Sequence, residues 1–496
     1  MPGAVALMFQ GTGSDVGKSL IVAGLCRTFA NRGLRVRPFK PQNMSNNSAV
    51  TPDGGEIGRA QALQARACGL APNIHMNPVL LKPEADHTSQ LILQGRVAGR
   101  LRARNWRDKR ATLLPAIQDS FQRMTNDYEI VLVEGAGSPA ETNLRQGDVA
   151  NMGFAEALGV PAVLIGDIDR GGVIASLVGT YEVLSTADRA RIRGFLINKF
   201  RGDASLFQTG MEEVVARTRW AALGIVPWLT GAARLPAEDA VPLQRHRNVA
   251  ATSLVKIAVP MLAHIANFDD LDPLRAEPDV DVVFVPPGES IPLETDVVII
   301  PGTKSTLSDL AMMRAQGWDT DILALARAGR RILGLCGGFQ MLGRYIDDPD
   351  GTDGHVARAA GLGLLDIETT MAREKTVQQR TGISPVYRAD VSGYEIHMGR
   401  TTGKDCARPL VQIGGHDDGA ISANACVEGT YLHGLFGSDS FRRAWLQSIH
   451  ALPPSNVTFG TEVDDALDEI ASILSASLDI DTLLSLAEPP GWSPTI

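Results

Sequence analysis

The most reactive arrangement in the sequence is a cysteine between an apolar run and two glycines. The segment 330–335 is apolar after two arginines, Cys336 follows it, and Gly337 and Gly338 precede a stretch of helix-forming residues. This pattern predicts a strand, a tight turn and a helix with the cysteine at the turn, the layout of a nucleophile elbow. A thiol placed there gains nucleophilicity because the N-terminus of a helix stabilises the thiolate. A buried structural cysteine beside a glycine turn fits the same few residues, so the rest of the chain must decide.

A thiolate that attacks an acyl group needs a base and donors for the oxyanion. His433 lies roughly a hundred residues after Cys336, a separation typical of partners that a fold brings together. The turn 301–306 follows an apolar strand, and its backbone N–H groups, with that of Gly337, are predicted to face an oxyanion. His397 is the competing base, although its glycine-rich, polar surroundings favour contact with substrate.

A second reactive arrangement lies near the N-terminus, where a glycine-rich loop joins an apolar strand to a helix. Its last three residues match the P-loop, in which backbone N–H groups cradle phosphates, the lysine reaches the β- and γ-phosphates and the serine faces magnesium. The first glycine is displaced by one position, because Thr12 stands where the strict pattern has glycine. The predicted ATP-binding loop consists of Gly11, Thr12, Gly13, Ser14, Asp15, Val16, Gly17, Lys18 and Ser19.

Further polar residues follow predicted strands, and ligands of open α/β sheets collect at that edge. A second strand delivers Lys40, and the strand 130–133 ends in Glu134, the position of a Walker B acid and thus a predicted magnesium ligand. Asn198 follows a later strand and is predicted to meet the nucleotide base. Asp53 and Glu56 lie in a polar section without strong strand signals; they could assist the metal, although a solvated loop fits them equally.

Length and composition limit the number of domains and the class of protein that the sequence can encode. The 496 residues exceed one hydrophobic core, so two or three domains are expected. The net charge of -9 argues against a nucleic-acid binder. Five scattered cysteines without a CxxC pair fit a reducing compartment, and neither a signal peptide nor a membrane span is predicted. The sequence therefore predicts a cytoplasmic protein, and a homo-oligomer is compatible with it.

The chain divides into two α/β series. In the last segment Leu467, Ile470, Leu474 and Leu478 fall on one helical face, which indicates packing. The predicted parts are a P-loop domain, a linker, a second α/β domain and a helical C-terminal segment, at 1–232, 233–253, 254–445 and 446–496.

Taken together, these segments resemble the cobyric/cobyrinic acid synthase family, glutamine-hydrolysing amidotransferases of cobalamin biosynthesis. The first half is similar to the dethiobiotin synthetase group, which accounts for the displaced glycine. The resemblance implies an α/β fold: a P-loop NTPase-like parallel-sheet domain, then a class I glutamine amidotransferase domain and a short helical tail. The segments that carry it are GTGSDVGKS (11–19), KPQNMSNNS (40–48), DGGEIGRAQA (53–62), VEGAGSPAE (133–141), DIDRGGVIAS (167–176), INKFRGD (197–203), PGTKST (301–306), LGLCGGFQMLG (333–343), GYEIHMGR (393–400) and GTYLHGLF (429–436).

The resemblance also implies a chemistry for both halves. Cys336 would attack the amide of glutamine, His433 would act as base and then as acid, Gly302 and Gly337 would hold the oxyanion, and Gln340 would contact glutamine. ATP, with magnesium, would convert a corrinoid carboxylate to an acyl phosphate, which ammonia from the other site intercepts. The implied substrate is adenosyl-cobyrinic acid a,c-diamide, amidated at carboxylates b, d, e and g.

One departure from the class I pattern concerns the third member of the triad. Many members place a glutamate two residues after the base histidine, but Leu435 stands there, an absence that the cobyric and cobyrinic synthases share. Glu395 is one candidate for orienting His433.

Three alternative functions stay open. A related amidoligase would be a cobyrinic acid a,c-diamide synthase or a cell-wall lipid II amidotransferase. A P-loop switch ATPase would want a lysine where Gly13 stands. A non-catalytic scaffold is disfavoured by the intact Lys18, Ser19, Cys336 and His433.

Overall fold

Two mainly parallel six-stranded sheets, one in each half of the chain, form the framework of the protein. The computed structural model describes residues 4–84, 88–102, 109–238, 253–353 and 357–491. Residues 239–252 of the predicted linker and residues 492–496 of the predicted helical segment lie outside this part. None of the described helices has both the length and the apolar character needed to cross a membrane.

The first half contains an α/β series with a small additional sheet. Its strands are β1 (Val5–Gly11), β2 (Val36–Phe39), β3 (Gln42–Met44), β4 (Ser48–Val50), β5 (Glu56–Gly58), β6 (Val79–Pro83), β7 (Thr88–Leu93), β8 (Arg96–Arg102), β9 (Ile130–Glu134), β10 (Ala162–Asp167), β11 (Ile192–Phe200) and β12 (Ala221–Pro227). Its helices are α1 (Lys18–Asn31), α2 (Arg59–Ala67), α3 (Arg110–Thr125), α4 (Met152–Leu158), α5 (Val173–Val183), α6 (Thr186–Arg191) and α7 (Gln208–Thr218).

The main sheet of this half has the strand order β12-β11-β10-β1-β9-β2, with parallel pairing throughout. Its strands read as continuous apolar runs because both faces are covered. In β1, Ala6 and Met8 enter one core cluster while Leu7 and Phe9 enter another. The predicted P-loop strand is therefore confirmed as a central strand, and its carboxyl end delivers the loop that follows.

The polar section around residues 41–61 was expected to lack strong strands, and the structure differs. Short strands β3, β4 and β5 occur there, and β3 pairs with β6 in a sheet of order β3-β6-β7-β8. These strands contain too few residues for an apolar alternation to show in the sequence, so their existence depends on partners elsewhere in the chain.

The second half contains the other six-stranded sheet and a long antiparallel one. Its strands are β13 (Val255–Pro260), β14 (Val280–Val285), β15 (Val297–Ile300), β16 (Arg331–Leu335), β17 (Tyr345–Asp348), β18 (Ala357–Ala360), β19 (Ile367–Ser384), β20 (Ala389–Gly403), β21 (Val411–Ile413), β22 (His416–Asp418), β23 (Ala420–Ile421), β24 (Val427–Thr430) and β25 (Leu432–His433). Its helices are α8 (Asp272–Arg275), α9 (Thr306–Ala315), α10 (Trp318–Arg327), α11 (Gly337–Leu342) and α12 (Asp439–Gln447).

In this half the six-stranded sheet has the order β14-β13-β15-β16-β24-β23, and only the β23 edge pairs antiparallel. Beside it, β19 and β20 form a long antiparallel pair that β17 and β25 extend. The strand β16 therefore ends directly before Cys336 in the middle of this six-stranded sheet, and β25 brings His433 from the antiparallel sheet.

The chain ends in two helices that return to the first half. Residues 448–458 are irregular, and α13 (Phe459–Ser477) and α14 (Ile480–Ser485) follow. Leu467, Ile470 and Leu474 are fully buried in the same core cluster as α1 residues. The apolar stripe predicted from the sequence thus covers one face of the P-loop sheet.

Candidate active sites

Cys336 sits at a strained turn between β16 and α11. Its φ of 49° and ψ of -104° are unusual for a residue with a side chain, and such values are found where a fold must hold a reactive group. The glycines that follow are required by close approach: a Cβ at Gly338 would overlap the carbonyl of Ile300, and one at Gly337 would lie 2.6 Å from Cγ2 of Thr303. The structure therefore has the geometry of a nucleophile elbow.

His433 and Asp270 complete a triad with this cysteine. Nδ1 of His433 lies 2.6 Å from Oδ2 of Asp270, whose other oxygen accepts from the backbone N–H of Gly434 at 2.6 Å. Burial by itself would lower the pKa of His433, but the Asp270 carboxylate and the facing Cys336 raise it to about 10. The histidine is thus oriented and stabilised as an imidazolium beside the thiol.

Asp270 was missed in the sequence, and Glu395, the candidate orienting group, is wrong for that role. Glu395 lies 3.4 Å from His397 and pairs with Arg380. The available signal was the acidic run 269–272 shortly after strand β13, in a short 3-10 turn. Several carboxylates in one loop do not identify which of them meets a histidine 163 residues later.

The other residues predicted for glutamine chemistry surround the same small cavity, of about 60 Å³. A Cβ at Gly302 would lie 2.9 Å from Cε1 of His433, so this turn approaches the histidine closely. Gln340 donates to Tyr431 at 3.2 Å and accepts from Thr306 at 3.0 Å, which holds its amide in place. The residues predicted for glutamine chemistry that line this cavity are Gly302, Cys336, Gly337, Gln340, His397 and His433.

His397, the competing base, has a different environment from His433. Its ring stacks on Tyr431 with 3.9 Å between centroids, and Nδ1 lies 3.0 Å from the carbonyl of Gly399. Its Nε2 faces Glu395, so both ring nitrogens have partners within its own strand. This arrangement suits a wall of the cavity better than a proton carrier for Cys336.

The P-loop runs from the end of β1 into α1. The lysine of the motif, Lys18, spans the loop and donates to the carbonyls of Gly13 and Gly137, both at 3.1 Å. Burial lowers the pKa of Lys18 from its ordinary value. Asn198 donates to the carbonyl of Val16 at 2.8 Å, so in this structure it supports the loop backbone. A glycine-rich loop at a helix N-terminus with a lysine across it is suited to bind phosphates.

Glu134 is the centre of a buried polar cluster at the sheet edge. It accepts from Ser19 at 2.6 Å and from Lys40 at 2.8 Å, and Gln64 binds its second oxygen at 2.6 Å. Burial of Lys40 opposes its charge, but Glu134 and Glu238 raise its pKa above the ordinary value. Lys40 and Glu134, two of the strand-end residues predicted from the sequence, are therefore brought together.

A further carboxylate, missed in the sequence, joins this cluster from the end of the described first half. An oxygen of Glu238 lies 2.8 Å from the Ser19 hydroxyl oxygen, and the other oxygen accepts from Asn43 at 2.7 Å. Oxygen ligands of this kind suit magnesium, so Ser19, Glu134 and Glu238 fit the ion that the P-loop implies. Among the described residues, no three His, Cys, Asp or Glu side chains form a metal-binding group by themselves.

The other two predicted metal ligands are not brought to this cluster. Glu56 is buried between Lys82 at 2.5 Å and Lys375 at 2.5 Å, and these lysines lower the pKa that burial alone would raise. Asp53 is exposed in a turn. Neither residue lines the cavity that contains Ser19 and Glu134. The magnesium prediction is thus wrong for Glu56, which instead joins the two halves, and the structure gives Asp53 no support.

A large cavity, of about 1430 Å³, opens beside the P-loop. The four-stranded sheet β3-β6-β7-β8 separates it from the small cavity at Cys336. Leu81 of β6 and Ser89 of β7 line the large cavity, whereas their neighbours Lys82 and Gln90 line the small one. Because successive side chains of a strand point to opposite faces, this one sheet is a wall shared by both sites.

Comparison with known proteins agrees with this two-site architecture. The CobQ/CobB/MinD/ParA nucleotide binding domain matches residues 7–243, and the CobB/CobQ-like glutamine amidotransferase domain matches residues 256–441. Cobyric acid synthase of Hyphomonas neptunium is 59% identical over 489 residues, covering 99% of each chain. The chain belongs to the cobyric acid synthase family. Cobyric acid synthase of Brucella anthropi is 58% identical over 483 residues, covering 97% of this chain and 100% of that protein.

Membership of the cobyric acid synthase family makes this chain an amidotransferase enzyme with a nucleotide-binding first half. The P-loop NTPase-like fold and the amidotransferase fold predicted from the sequence are both confirmed.

Proposed function

We propose that the protein uses ATP and glutamine to amidate corrinoid side-chain carboxylates in cobalamin biosynthesis. The observation that carries this proposal is the shared wall: a cysteine triad lies on one side of the β3-β6-β7-β8 sheet and a P-loop cavity on the other. A carboxylate is a poor acyl donor until it is activated, and ammonium at neutral pH is a poor nucleophile. A glutamine-dependent ligase therefore requires one site that activates the carboxylate and an adjacent site that releases ammonia.

In the second half, the triad would release ammonia from glutamine. Cys336 gives its proton to His433, which Asp270 holds, and attacks the side-chain amide; His433 then passes that proton to the departing ammonia. The N–H groups of Gly302 and Gly337 hold the oxyanion of the tetrahedral intermediate. Water then releases glutamate from the thioester with His433 as base. Gln340 and His397 line the substrate side of the cavity.

In the first half, the substrate carboxylate would attack the γ-phosphate of ATP, which forms an acyl phosphate and releases ADP. The loop 11–19 binds the phosphates, and Lys18 and Lys40 stabilise the charge that develops on them. Magnesium, held by Ser19 and Glu134 with Glu238, would supply further neutralisation of that charge. Ammonia that has crossed the shared wall displaces phosphate from the acyl group and forms the amide.

The large cavity suits a bulky substrate with both apolar and anionic parts. Leu63, Leu101 and Trp228 contribute apolar surface, while Arg102 and Arg275 are cations on the same lining. A corrin ring with carboxylate side chains has this character. We infer that the substrate is adenosyl-cobyrinic acid a,c-diamide, and that carboxylates b, d, e and g are amidated in turn.

The test is a mass spectrum of the products after incubation with this corrinoid, ATP, magnesium and glutamine. Amidation at the four remaining carboxylates supports the proposal. Amidation of cobyrinic acid at positions a and c alone would assign the chain to the related diamide synthases instead. Nucleotide binding measured by calorimetry with and without magnesium tests the metal site separately, because loss of Glu134 should remove the effect of magnesium.

A further inference from the structure

The two reaction sites are joined by one short helix, α2, which begins at the boundary between the halves. Its first residue, Arg59, donates from Nη2 to the Tyr394 hydroxyl at 2.5 Å and to the carbonyl of Ser48 at 2.7 Å. The same nitrogen lies 3.0 Å from Oδ2 of Asp269. Arg59 belongs to the P-loop half, whereas Tyr394 and Asp269 belong to the amidotransferase half.

Both partners of Arg59 in the second half adjoin the triad, one along the chain and one by ring stacking. Asp269 directly precedes Asp270, the carboxylate that holds His433. The Tyr394 ring stacks on the His433 ring at 5.4 Å between centroids and an interplanar angle of 16°, and the two residues also pair across β20 and β25. A shift of the Arg59 guanidinium would therefore move both Asp269 and Tyr394, and each of these residues is connected to His433.

Two glutamines further along α2 contact the P-loop site. Gln61 and Gln64 donate to Oε2 of Glu134, at 3.3 and 2.6 Å, and Gln64 also donates to the carbonyl of Ser19. Because Ser19 and Lys40 both bind Glu134, phosphate or magnesium that engages them would change the partners of Glu134. Two residues of α2 then have to adjust with it.

A second connection runs through the turn that carries Asp270. Asn267, at the start of this turn, has a φ of 52° and donates from its backbone to Asn47 at 2.7 Å, while its side chain accepts from the N–H of Ser48 at 3.0 Å. Shortly after Asp270, Asp272 and Arg275 line the large cavity. The turn is thus clamped by the P-loop half and reaches its substrate space.

We propose that Arg59 is a positioning residue that couples the two sites, so that filling the P-loop cavity aligns the Asp270–His433 pair and raises the rate of glutamine hydrolysis. This inference rests on the proposed function, because it presupposes glutaminase chemistry at Cys336. Its physical basis is that an arginine only 15% exposed and paired with Asp269 and Tyr394 cannot move without moving them.

The experiment measures glutamine hydrolysis with and without a non-hydrolysable ATP analogue, magnesium and adenosyl-cobyrinic acid a,c-diamide. For the unaltered protein we expect a stimulation of roughly 10-fold, within the usual range of coupling between sites. In Arg59→Ala the ratio of stimulated to unstimulated glutamine hydrolysis should fall to about 1 through a lower kcat, with KM for glutamine little changed. Arg59→Lys keeps the charge but not the planar guanidinium, so it should recover only part of the stimulation.

Two further variants keep the test decisive. Tyr394→Phe removes the hydroxyl that Arg59 binds while keeping the ring on His433, so it should lower the ratio in a folded protein. Arg66→Ala is the matched control, since Arg66 lies on the same helix but binds Asp464 and the carbonyl of Gly460 in the C-terminal helix. Its ratio should equal that of the unaltered protein.

The outcomes separate the inference from the function on which it rests. Ammonia-driven amidation should survive in Arg59→Ala; an equal loss of ammonia-driven and glutamine-driven amidation would overturn the coupling role and indicate damage to the P-loop site. An unstimulated but active unaltered protein overturns the coupling alone. A protein that does not hydrolyse glutamine under any condition overturns both.

Discussion

Asp270 and His433, 163 residues apart in the chain, form a buried pair with 2.6 Å between Oδ2 and Nδ1. The position that supplies an orienting glutamate in many related domains is occupied by Leu435, whose side chain is buried. The carboxylate comes instead from the short turn after β13, and it also accepts from the N–H of Gly434. The triad is therefore complete, with its third member supplied from a turn far from His433 in the chain.

Replacement of Asp270 by asparagine tests this pair. The variant keeps the shape but removes the charge that favours the imidazolium, so glutamine-dependent kcat should fall roughly 10²- to 10⁴-fold. Ammonia-driven amidation should be retained, since the P-loop site is untouched. The matched control is Asp417→Asn, an exposed aspartate of the same half, which should hydrolyse glutamine normally. Normal glutaminase activity in Asp270→Asn would exclude the orienting role.

The same pair should make stability depend on pH. Because the pKa of His433 is raised to about 10 from an ordinary value near 6.5, the folded state binds a proton that the unfolded state releases between these values. The stabilisation is fully present below about pH 6.5 and is lost as pH rises through 10. Thermal melts of the unaltered protein and Asp270→Asn should differ most near pH 6 and converge near pH 10. A difference that grows with pH would contradict the assigned charge state.

Cys336→Ala separates the two sources of nitrogen. Without the thiol no glutamyl thioester forms, so glutamine-driven amidation should disappear while amidation with high ammonia continues. Cys426→Ala is the control, because this thiol contacts the carbonyl of Asn424, is not among the residues lining either cavity and should not affect either activity. Mass spectra of the corrinoid products provide the measurement. Loss of both activities in Cys336→Ala would contradict the division of labour between the halves.

Lys18→Ala should have the opposite pattern. This lysine spans the P-loop, and its loss removes the charge that stabilises the phosphoryl group, so amidation should stop with either nitrogen source. Glutamine hydrolysis without acceptor should persist, which shows that the second half is intact. Lys256→Ala, an exposed lysine on β13, serves as the control for loss of a charge. Ammonia-driven amidation by Lys18→Ala at the normal rate would contradict the role assigned to the loop.

The elements that the sequence predicted well are those with local signals. The strand 130–133 was predicted within one residue of the bounds of β9, and the Cys336 elbow was predicted from a strand, a glycine pair and a helix. In both cases the pattern lies within a dozen residues, so no knowledge of distant partners is needed.

The elements that could not be predicted depend on contacts across the chain. Asp270 is one of several acids in its loop, and only the packing of β25 beside that turn selects it. Glu56 has the residue type of a metal ligand, but Lys82 and Lys375 reach it from separate sheets. The short strand β3 forms because it pairs with β6, and no local pattern in the sequence predicts that pairing.

The packing of the C-terminal helix on the first half gives a further prediction. A Cβ at Gly24 of α1 would lie 2.5 Å from Cδ1 of Leu474 and 2.7 Å from Cγ2 of Ile470, both in α13. Gly24→Ala should therefore push the helices apart and lower the free energy of unfolding by roughly 1–2 kcal/mol, even though alanine favours a helix.

Gly179 of α5 provides the matched comparison, because a Cβ there meets open space. In Gly179→Ala the helix propensity acts alone and should raise the free energy of unfolding by up to about 1 kcal/mol. Urea denaturation of both variants and the unaltered protein provides the measurement. The two substitutions should thus change stability in opposite directions; an equal gain in both would mean that α13 does not pack closely on α1 in solution.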